Sequence, residues 1–562
     1  MTSKDYGSGG DDRLSVFDAG PPRPAPTPFN IAAHVLAPSR ETPAKTALLV
    51  LADGEGGVAE SWSYADLDRT IRSTAAGLRR AGLGRGERVI LRLANSSAFP
   101  ILFFATIAAG GVAVPTSAAL TGAEFTPLLG RVAPRFVAFG PGLELPLPDS
   151  VQPLSQPFLA ELSEEAPGKI AETVPDDPAF LIFTSGTSGT PRGVLHAQRS
   201  AWARRMMWDG WYGLGAGDRM LHAGAFNWTY TLGAGLTDPW AAGATALVYA
   251  GPRDPGVWRR LTARHEATIF CAVPGVYRQA LKAAEGDEAG LRSDLASLRH
   301  GLTAGERMPT TLAEAWLHAT GKRLHEALGM TECSTYISGS PARPAPKGTA
   351  GFPQPGRRVA ILPENLPENL PEELPGDFPD QAQATPKPPP RGTPGLLAVS
   401  RRDPGLMLGY WQDPQATEAA LRGEWFLTGD RAVMSAEGAI THLGRADDVM
   451  NALGYRVSPQ EVEEALASHP GVAEVAVAEL PVRADLSLVA AFVVPEDEMP
   501  DEDTLTAHAE ARLAPYKRPR LWIAVDALPR TANGKLIRKR LVAEHRRDAA
   551  ENAVSTPPDR TI

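Results

Sequence analysis

Residues 184–194 read TSGTSGTPRGV, and they directly follow an apolar run, FLIF, at residues 180–183. These eleven positions hold three glycines and five hydroxyl side chains. Glycine lets the backbone approach a ligand closely and turn its N–H groups inward, and the hydroxyls add hydrogen-bond donors. The spacing differs from that of a Walker A loop, and a plain Ser/Gly linker is not expected to begin directly at a strand end. The segment therefore predicts a buried strand followed by a loop that suits a polyphosphate.

Outward from this loop, helical and strand-like segments alternate along the chain. Residues 63–82 begin with a serine suited to an N-cap, carry apolar residues at helical spacing and end at a glycine. A strand-like run at 89–93, an apolar helix at 99–109 and a short strand at 112–115 follow, and the alternation recurs over 244–269. Strand, helix and strand in succession predict parallel sheets covered by helices, so the fold class is α/β with layered sheets.

A chain of 562 residues is too long for one compact core, and the sequence predicts a division into domains. Residues 1–28 are polar and rich in proline and glycine, and are predicted to be a disordered tail rather than a signal peptide. Residues 29–444 form the predicted large N-terminal domain, which includes a Pro-rich loop insertion at 363–394. Residues 445–545 form a predicted small α+β domain on a polar joint, and 546–562 a charged tail.

The bulk composition argues against several classes of partner. The formal net charge of -9 and a pI near 5.8 disfavour nucleic acid or an anionic membrane surface as partner. Only Cys271 and Cys333 could form a disulfide or a zinc site, and they are far apart in the sequence. The sequence has no run of 18 apolar residues, so no membrane span is expected. A protein of the reducing cytoplasm fits these features.

The glycine- and hydroxyl-rich loop resembles the phosphate-binding signature of the adenylate-forming superfamily. That superfamily includes acyl-CoA synthetases, peptide-synthetase adenylation domains and firefly luciferase. Its members commonly carry lysine where this chain has Arg192, which keeps the charge but replaces an ammonium by a planar guanidinium. The resemblance implies that ATP or AMP is bound by Thr184, Ser185, Gly186, Thr187, Ser188, Gly189 and Arg192.

Further motifs follow in the order of the family. In LGMTE, residues 328–332, the resemblance implies that Thr331 contacts the phosphates and Glu332 holds Mg²⁺, a cation that prefers carboxylate oxygen. PRTANGK, residues 529–535, resembles the C-terminal loop whose lysine reaches the reacting carboxylate, which makes Lys535 a catalytic candidate with Thr331 and Glu332.

The remaining nucleotide motifs are shorter. Those implied to bind the adenine and the ribose contain Gly305, Glu306, Arg307, Asp430, Arg445 and Arg456. Asp447, in GRADD at residues 444–448, matches the hinge of the family, and Gly454 matches the position that lines its tunnel for coenzyme A. The resemblance thus implies a large domain of layered α/β sheets with a small mobile C-terminal lid.

The subfamily is indicated by fewer residues. A segment at 226–228, FNW, resembles the acyl-pocket segment of short- and medium-chain acyl-CoA synthetases. The acyl-pocket candidates are Phe226, Trp228, Tyr230 and Gly329. Gly329 stands where acetate-activating relatives have a tryptophan plug, so the resemblance implies a pocket for a medium-chain or aryl acid.

The resemblance implies ATP-dependent formation of an acyl-AMP, followed by thioester formation with coenzyme A. ATP, Mg²⁺ and coenzyme A are the expected cofactors and co-substrates, and a small carboxylic acid is the expected substrate. Two alternatives stay open: an acyl-AMP ligase that loads a free carrier protein, and a nucleotide-binding protein without chemistry. The sequence specifies neither the acid nor the oligomeric state.

Overall fold

A computed structural model describes residues 13–20, 22–184, 192–252, 254–366, 386–446, 450–452, 455–483, 486–513, 515–531 and 536–555. The strands of the N-terminal part are β1 (Val16–Asp18), β2 (Thr46–Ala52), β3 (Gly57–Ser63), β4 (Arg88–Arg92), β5 (Val112–Pro115), β6 (Phe136–Phe139), β7 (Gln152–Leu154), β8 (Pro178–Thr184), β9 (Arg192–Ala197), β10 (Arg219–His222), β11 (Thr245–Tyr249), β12 (Ile269–Cys271), β13 (His300–Ala304), β14 (Leu324–Met330), β15 (Ser334–Ser338) and β16 (Phe352–Pro353). They are followed by β17 (Arg358–Leu362), β18 (Gly395–Ser400), β19 (Gly409–Tyr410), β20 (Leu421–Arg422), β21 (Trp425–Met434), β22 (Ile440–Arg445), β23 (Met450–Ala452), β24 (Tyr455–Val457), β25 (Val472–Arg483), β26 (Leu486–Pro495) and β27 (Leu521–Ala524).

The α-helices lie between these strands, and short 3₁₀ and π-helical turns supplement them. They are α1 (Ile31–Val35), α2 (Tyr64–Arg80), α3 (Ala98–Ala108), α4 (Gly122–Val132), α5 (Gln156–Ser163), α6 (Arg199–Ala203), α7 (Thr229–Leu232), α8 (Asp238–Ala241), α9 (Val257–His265), α10 (Pro274–Lys282), α11 (Glu288–Asp294), α12 (Thr310–Thr320), α13 (Pro414–Ala419), α14 (Pro459–Leu466), α15 (Glu502–Glu510) and α16 (Arg538–Ser555). The predicted helix at 63–82 is confirmed as α2: the Ser63 side chain caps its N-terminus by accepting from the backbone N–H of Asp66.

Two large sheets carry most of the described N-terminal strands. The first runs β16-β15-β14-β13-β12-β10-β11-β2-β3, and its central pairs from β14 to β2 are parallel. The second runs β19-β9-β8-β5-β4-β6-β7 and is parallel from β8 to β7. Every residue of β5, β6, β11 and β13 is buried, as expected for parallel strands covered on both faces. The α/β prediction is confirmed.

Helix α3 is an example of a helix buried against these sheets. Ten of its residues, from Phe99 to Ala108, are buried, and a helix that is apolar all round belongs in a core. Phe103 and Phe104 pack in one apolar cluster with Leu67 and Ile71 of α2 and with strand residues such as Leu91. None of the described helices is long and apolar enough to cross a membrane.

The chain divides into two compact units. The first comprises residues 1–393, 398–428 and 434–441, and the second comprises 394–397, 429–433 and 442–562. A third sheet has the order β1-β17-β18-β21-β20, with β22 beside β21. In the second unit, β25 pairs with β26 and β26 with β27, and Val462, Leu466, Val477 and Leu505 form part of its apolar core.

The N-terminal segment corrects one expectation. Residues 1–28 are predicted to be disordered, but Val16–Asp18 forms β1, which pairs antiparallel with β17. Phe17 is buried there, and Ser15 donates from its N–H to the carbonyl of Pro389 at 2.7 Å and from Oγ to that of Pro390 at 3.0 Å. The prediction is wrong for this part because one buried phenylalanine in a polar stretch is too weak a pattern to reveal a strand. α16 runs to Ser555 and so includes part of the predicted charged tail, a prediction that a helix does not contradict.

These contacts define a test of the Pro-rich insertion by two deletions, each closed with a short Gly/Ser link. Removing 367–385 keeps Pro389 and Pro390, and we expect unchanged activity, since loop length changes closure entropy little. Removing 363–390 deletes both acceptors of Ser15, and cleavage by trypsin after Arg13 should accelerate by about 5- to 30-fold, at roughly 1 kcal/mol per lost hydrogen bond. Timed proteolysis followed by mass spectrometry measures this, and equal rates for the two deletions would contradict the anchoring role.

Candidate active site

The ends of the predicted phosphate loop are held by two paired strands. β8 ends at Thr184 and β9 begins at Arg192, and these two residues pair across the antiparallel ladder. The Thr184 hydroxyl donates to the carbonyl of Arg192 at 3.3 Å. Because β8 is parallel to β5, the loop leaves the sheet at the carboxyl end of a parallel strand, where open α/β sheets bind ligands. Ser185, Gly186, Thr187, Ser188 and Gly189 lie outside the described residues.

A carboxylate, a phenol and a guanidinium meet at the base of this loop. Glu332, just after β14, accepts a hydrogen bond at Oε1 from the hydroxyl of Tyr410 at 2.8 Å. The guanidinium carbon of Arg192 lies 4.8 Å from the centre of the Tyr410 ring. β19, which carries Tyr410, is the edge strand beside β9. The structure thus brings together the two predicted nucleotide motifs, and burial together with Glu332 raises the pKa of Tyr410.

Sequence reasoning missed Tyr410. Its only local signal is the tripeptide GYW at 409–411, which has no spacing typical of a catalytic motif. The position of its hydroxyl depends on the pairing of a two-residue strand with β9, a long-range contact that periodicity does not reveal.

Gly329 has a backbone reason to be glycine. It lies on β14 opposite Thr335 of β15, next to an irregularity in the pairing. A Cβ at Gly329 would lie 2.5 Å from the carbonyl oxygen of Ser334 and 2.5 Å from Cα of Thr335. The expected open volume is therefore absent in the direction of that Cβ, and a tryptophan plug would have to displace β15. The assignment of Gly329 to the acyl pocket stays a prediction.

A mostly apolar cavity lies beside the second nucleotide motif, with Thr331 and Ser334 on its wall. Apolar side chains from α1, α3, β8, α6, the segment after α6 and α7 contribute most of the remaining surface. They include Ile31, Phe103, Phe180, Ala201, Met207 and Leu232. All of its lining residues belong to the first unit and Thr331 is among them, so the cavity is a candidate site for the organic part of an acid.

Two buried arginines in the cavity wall are each balanced by a buried aspartate. Arg204 donates from Nη2 to Asp238 at 2.6 Å, and Arg357 forms an ion pair with Asp403. His196 also lines the cavity; burial, with Arg199 and Arg204, lowers its pKa to about 3, so it is neutral near pH 7. The polar part of the wall therefore carries no net charge.

The predicted aromatic residues of the acyl pocket do not line this cavity. Phe226 is buried against Phe99, with ring centres 5.0 Å apart, and Tyr230 donates its hydroxyl to the carbonyl of Leu302 at 3.0 Å. Trp228 instead lies against the predicted adenine segment, because a Cβ at Gly305 would be 2.6 Å from its ring. Gly305 also has a φ of 94°, which favours glycine. Contact of Phe226, Trp228 or Tyr230 with the acid stays a prediction.

The adenine segment is placed by β13. Gly305 follows the last residue of that strand, so Glu306 and Arg307 lie beyond its carboxyl end. Both side chains are partly exposed, and both have interaction partners in the protein. Their roles in nucleotide binding stay predictions.

In the second unit, the predicted ribose residues lie together. Nη1 of Arg445 is 3.4 Å from Oδ1 of Asp430, and Nε2 of His442 lies 3.4 Å from the same oxygen. The backbone N–H of Ala446 donates to the carbonyl of Gly429 at 2.7 Å, which fixes the chain beside Asp430. Sequence reasoning missed His442. Arg456 lies on β24 and its side chain is not described, while Asp447, Gly454 and Lys535 lie outside the described residues.

Comparison with known proteins places this geometry in a family. The family of AMP-binding enzymes matches residues 37–411, and the C-terminal domain of AMP-binding enzymes matches 461–535. A 3-hydroxybenzoate–CoA/4-hydroxybenzoate–CoA ligase of Thauera aromatica is 30% identical over 86% of this chain and 91% of its own length. The benzoate–CoA ligase of Thauera aromatica is 31% identical over 86% of this chain and 91% of its own length.

A solved structure extends the similarity to three dimensions. An anthranilate CoA ligase in complex with anthranoyl-AMP has a TM-score of 0.81 and 26% identity, covering 94% of this chain and 99% of its own. The chain belongs to the AMP-binding enzyme family, and within it to the AMP-forming acid–CoA ligases.

Proposed function

We propose that this ligase activates an aryl or medium-chain carboxylic acid as its acyl-AMP and transfers the acyl group to coenzyme A. The observation that carries the proposal is the apolar cavity beside Thr331, because an apolar surface favours a ring or an alkyl chain over water. The hydroxybenzoate, benzoate and anthranilate ligases among the similar proteins support an aryl acid.

The charges of the cavity wall further restrict the class of acid that we propose as substrate. Arg204 is balanced by Asp238 and Arg357 by Asp403, so neither guanidinium offers an uncompensated charge. A second carboxylate on the acid would lose its hydration without gaining a free counter-charge, which is costly. The proposed substrate is therefore a monocarboxylic acid with a neutral tail.

The oxygen donors beside the phosphate loop fit Mg²⁺. This cation usually keeps several waters and binds one or two carboxylates together with substrate phosphates, so the single carboxylate of Glu332 beside the hydroxyl of Thr331 suffices. The described residues contain no group of three His, Cys, Asp or Glu side chains that could form a closed metal cage. When bound, Mg²⁺ shields phosphate charge during attack.

In the proposed mechanism the residues of this chain position ATP and the acid. The phosphate loop and Arg192 bind the phosphates, Thr331 on the cavity wall contacts the phosphates, and Glu332 presents its second carboxylate oxygen to the cation. The acid is ionised near pH 7, so its carboxylate attacks the α-phosphorus of ATP without a general base and releases pyrophosphate. Lys535 neutralises charge that develops on the reacting oxygens. The thiol of coenzyme A then displaces AMP.

The proposal is tested by pyrophosphate release with benzoate, 3- and 4-hydroxybenzoate, 2-aminobenzoate, octanoate, acetate and malonate. Each acid is tested with coenzyme A and with a phosphopantetheinylated carrier protein. We expect at least one aryl or medium-chain acid to exceed acetate and malonate by about tenfold or more in kcat/KM with coenzyme A, because pocket contacts give differences of this size. A preference for acetate or malonate, or a response to the carrier protein alone, would contradict the proposal.

A methionine pair tests whether the cavity binds the acid. Met207 and Met220 are both fully buried in the same apolar cluster, but only Met207 is on the cavity wall. Met207→Ala should enlarge the cavity and shift the kcat/KM ratio of a large to a small acid by roughly tenfold. Met220→Ala should destabilise the fold similarly and leave that ratio unchanged. Equal ratios in the two variants would place the acid elsewhere.

A further inference from the structure

Tyr410 connects two residues that come from different motifs. Its hydroxyl donates to Oε1 of Glu332 at 2.8 Å, and its ring packs against the guanidinium of Arg192 at 4.8 Å. One phenol side chain thus contacts both the carboxylate expected to face the metal and the basic residue at the base of the phosphate loop.

The backbone around Tyr410 is fixed independently of its side chain. The N–H of Leu408 donates to the carbonyl of Leu195 at 2.8 Å, and that of Trp411 donates to the carbonyl of Gly193 at 2.8 Å. The N–H of Met407 also donates to the backbone carbonyl of Glu332 at 2.7 Å. Residues 407–411 are therefore hydrogen-bonded through their backbone both to β9 and to Glu332. Substitution of the phenol alone should leave these backbone hydrogen bonds in place.

The chemistry of the contact suits a carboxylate that serves a cation. An ionised carboxylate has two oxygens and accepts hydrogen bonds on both. The phenol occupies Oε1 and adds no positive charge of its own, so this contact leaves the second oxygen to a cation. A guanidinium over an aromatic face is held by a cation–π attraction, and Arg can stack in this way more readily than Lys.

We propose that Tyr410 is a positioning residue, which fixes the Glu332 carboxylate and the Arg192 guanidinium at the base of the phosphate loop for binding of Mg²⁺-ATP. The proposal rests on the role proposed above for Glu332. The contacts of Tyr410 differ in what they hold: the hydroxyl orients the carboxylate and also interacts with the Arg192 guanidinium, and the ring packs against that guanidinium. Loss of the hydroxyl should therefore affect mainly the metal-dependent part of ATP affinity, and loss of the ring should affect the affinity for metal-free ATP as strongly as that for Mg²⁺-ATP.

Calorimetric titration with ATP, once with Mg²⁺ and once with EDTA, measures binding without any acid or turnover. Tyr410→Phe keeps the ring, and we expect it to weaken Mg²⁺-ATP binding by roughly tenfold, the lower end of the range of one charge-assisted hydrogen bond, and to weaken metal-free ATP binding by a clearly smaller factor. Tyr410→Leu should weaken both. Tyr249→Phe is the matched control, because that hydroxyl donates to backbone carbonyls of Asp53 and Pro252 in the same unit, and it should change neither affinity.

The variants also separate failure of this proposal from failure of its premise. Glu332→Gln should abolish most of the gain in ATP affinity that Mg²⁺ gives to the wild-type protein. If Glu332→Gln does so and Tyr410→Phe leaves the gain intact, Tyr410 has no positioning role. If Tyr410→Phe weakens Mg²⁺-ATP and metal-free ATP equally, its effect is general and the proposal is overturned. If Glu332→Gln leaves the gain intact, the premise about Glu332 is wrong and the proposal falls with it.

Discussion

Lys535→Ala is expected to lower the rate of acyl-AMP formation by about 10²–10³, the typical cost of removing one preorganised group that stabilises developing charge. In the proposed mechanism, negative charge moves onto the phosphate oxygens as the carboxylate attacks, and the Lys535 ammonium neutralises part of it. Exchange of labelled pyrophosphate into ATP, in the presence of an acid that the wild-type enzyme activates well, measures this half-reaction directly.

The second half-reaction provides the internal control. Members of this family rotate the C-terminal lid between the half-reactions, which withdraws the lysine, so thioester formation from pre-made acyl-AMP should be nearly unaffected. Lys539→Ala, at an exposed lysine of α16, is the matched control and should leave both half-reactions unchanged. Equal damage to both half-reactions by Lys535→Ala would rule out two lid positions in this protein.

Helix limits and strands that depend on neighbouring residues could be predicted from the sequence. Contacts between residues far apart in the sequence could not. The serine at 63 and the glycine at 82 predict the limits of α2 within two residues, because capping depends on neighbours in the chain. The apolar run at 180–183 predicts a strand before the phosphate loop, because such a run needs burial. The structure has β8 at this position. Both predictions use information that lies within one helix or strand.

Tyr410 and β1 show the opposite case. The hydroxyl of Tyr410 reaches Glu332 across 78 positions of sequence, and β1 pairs with a strand more than 300 residues away. Neither contact leaves a periodic pattern, because each depends on one or two side chains. The aromatic residues at 226–230 form a conspicuous group in the sequence, and Phe226 and Tyr230 pack in apolar clusters while the described cavity is lined by other residues, so their contact with an acid stays a prediction.

The cavity wall contains a buried ion pair whose stability consequence can be measured. Arg204 donates from Nε to both oxygens of Asp238 at 3.0 Å, and the hydroxyl of Tyr212 donates to Asp238 Oδ2 at 2.7 Å. The Asp238 side chain is 1% exposed and that of Arg204 is 11% exposed. A Cβ at Gly233 would lie 2.0 Å from Arg204 Nη2, so glycine at that position leaves the space that the guanidinium fills. These neighbouring residues thus hold Arg204 in the cavity wall.

Arg204→Met is expected to lower the free energy of unfolding by about 3–5 kcal/mol, because it leaves the Asp238 carboxylate buried without its counter-charge. Asp238→Leu should cost a similar amount by leaving the guanidinium unpaired.

The double variant should be clearly more stable than the sum of the two single effects predicts, since replacing both charges by apolar groups removes the unpaired charge. Arg259→Met, whose pairs with Asp287 and Asp294 are both more exposed, is the control and should cost about 0–1 kcal/mol for each pair. Urea unfolding of the four variants, followed by tryptophan fluorescence, gives the double-mutant cycle. Additive single effects would show that Arg204 and Asp238 are stabilised separately, and the argument that the cavity wall is charge-neutral through this pair would then fail.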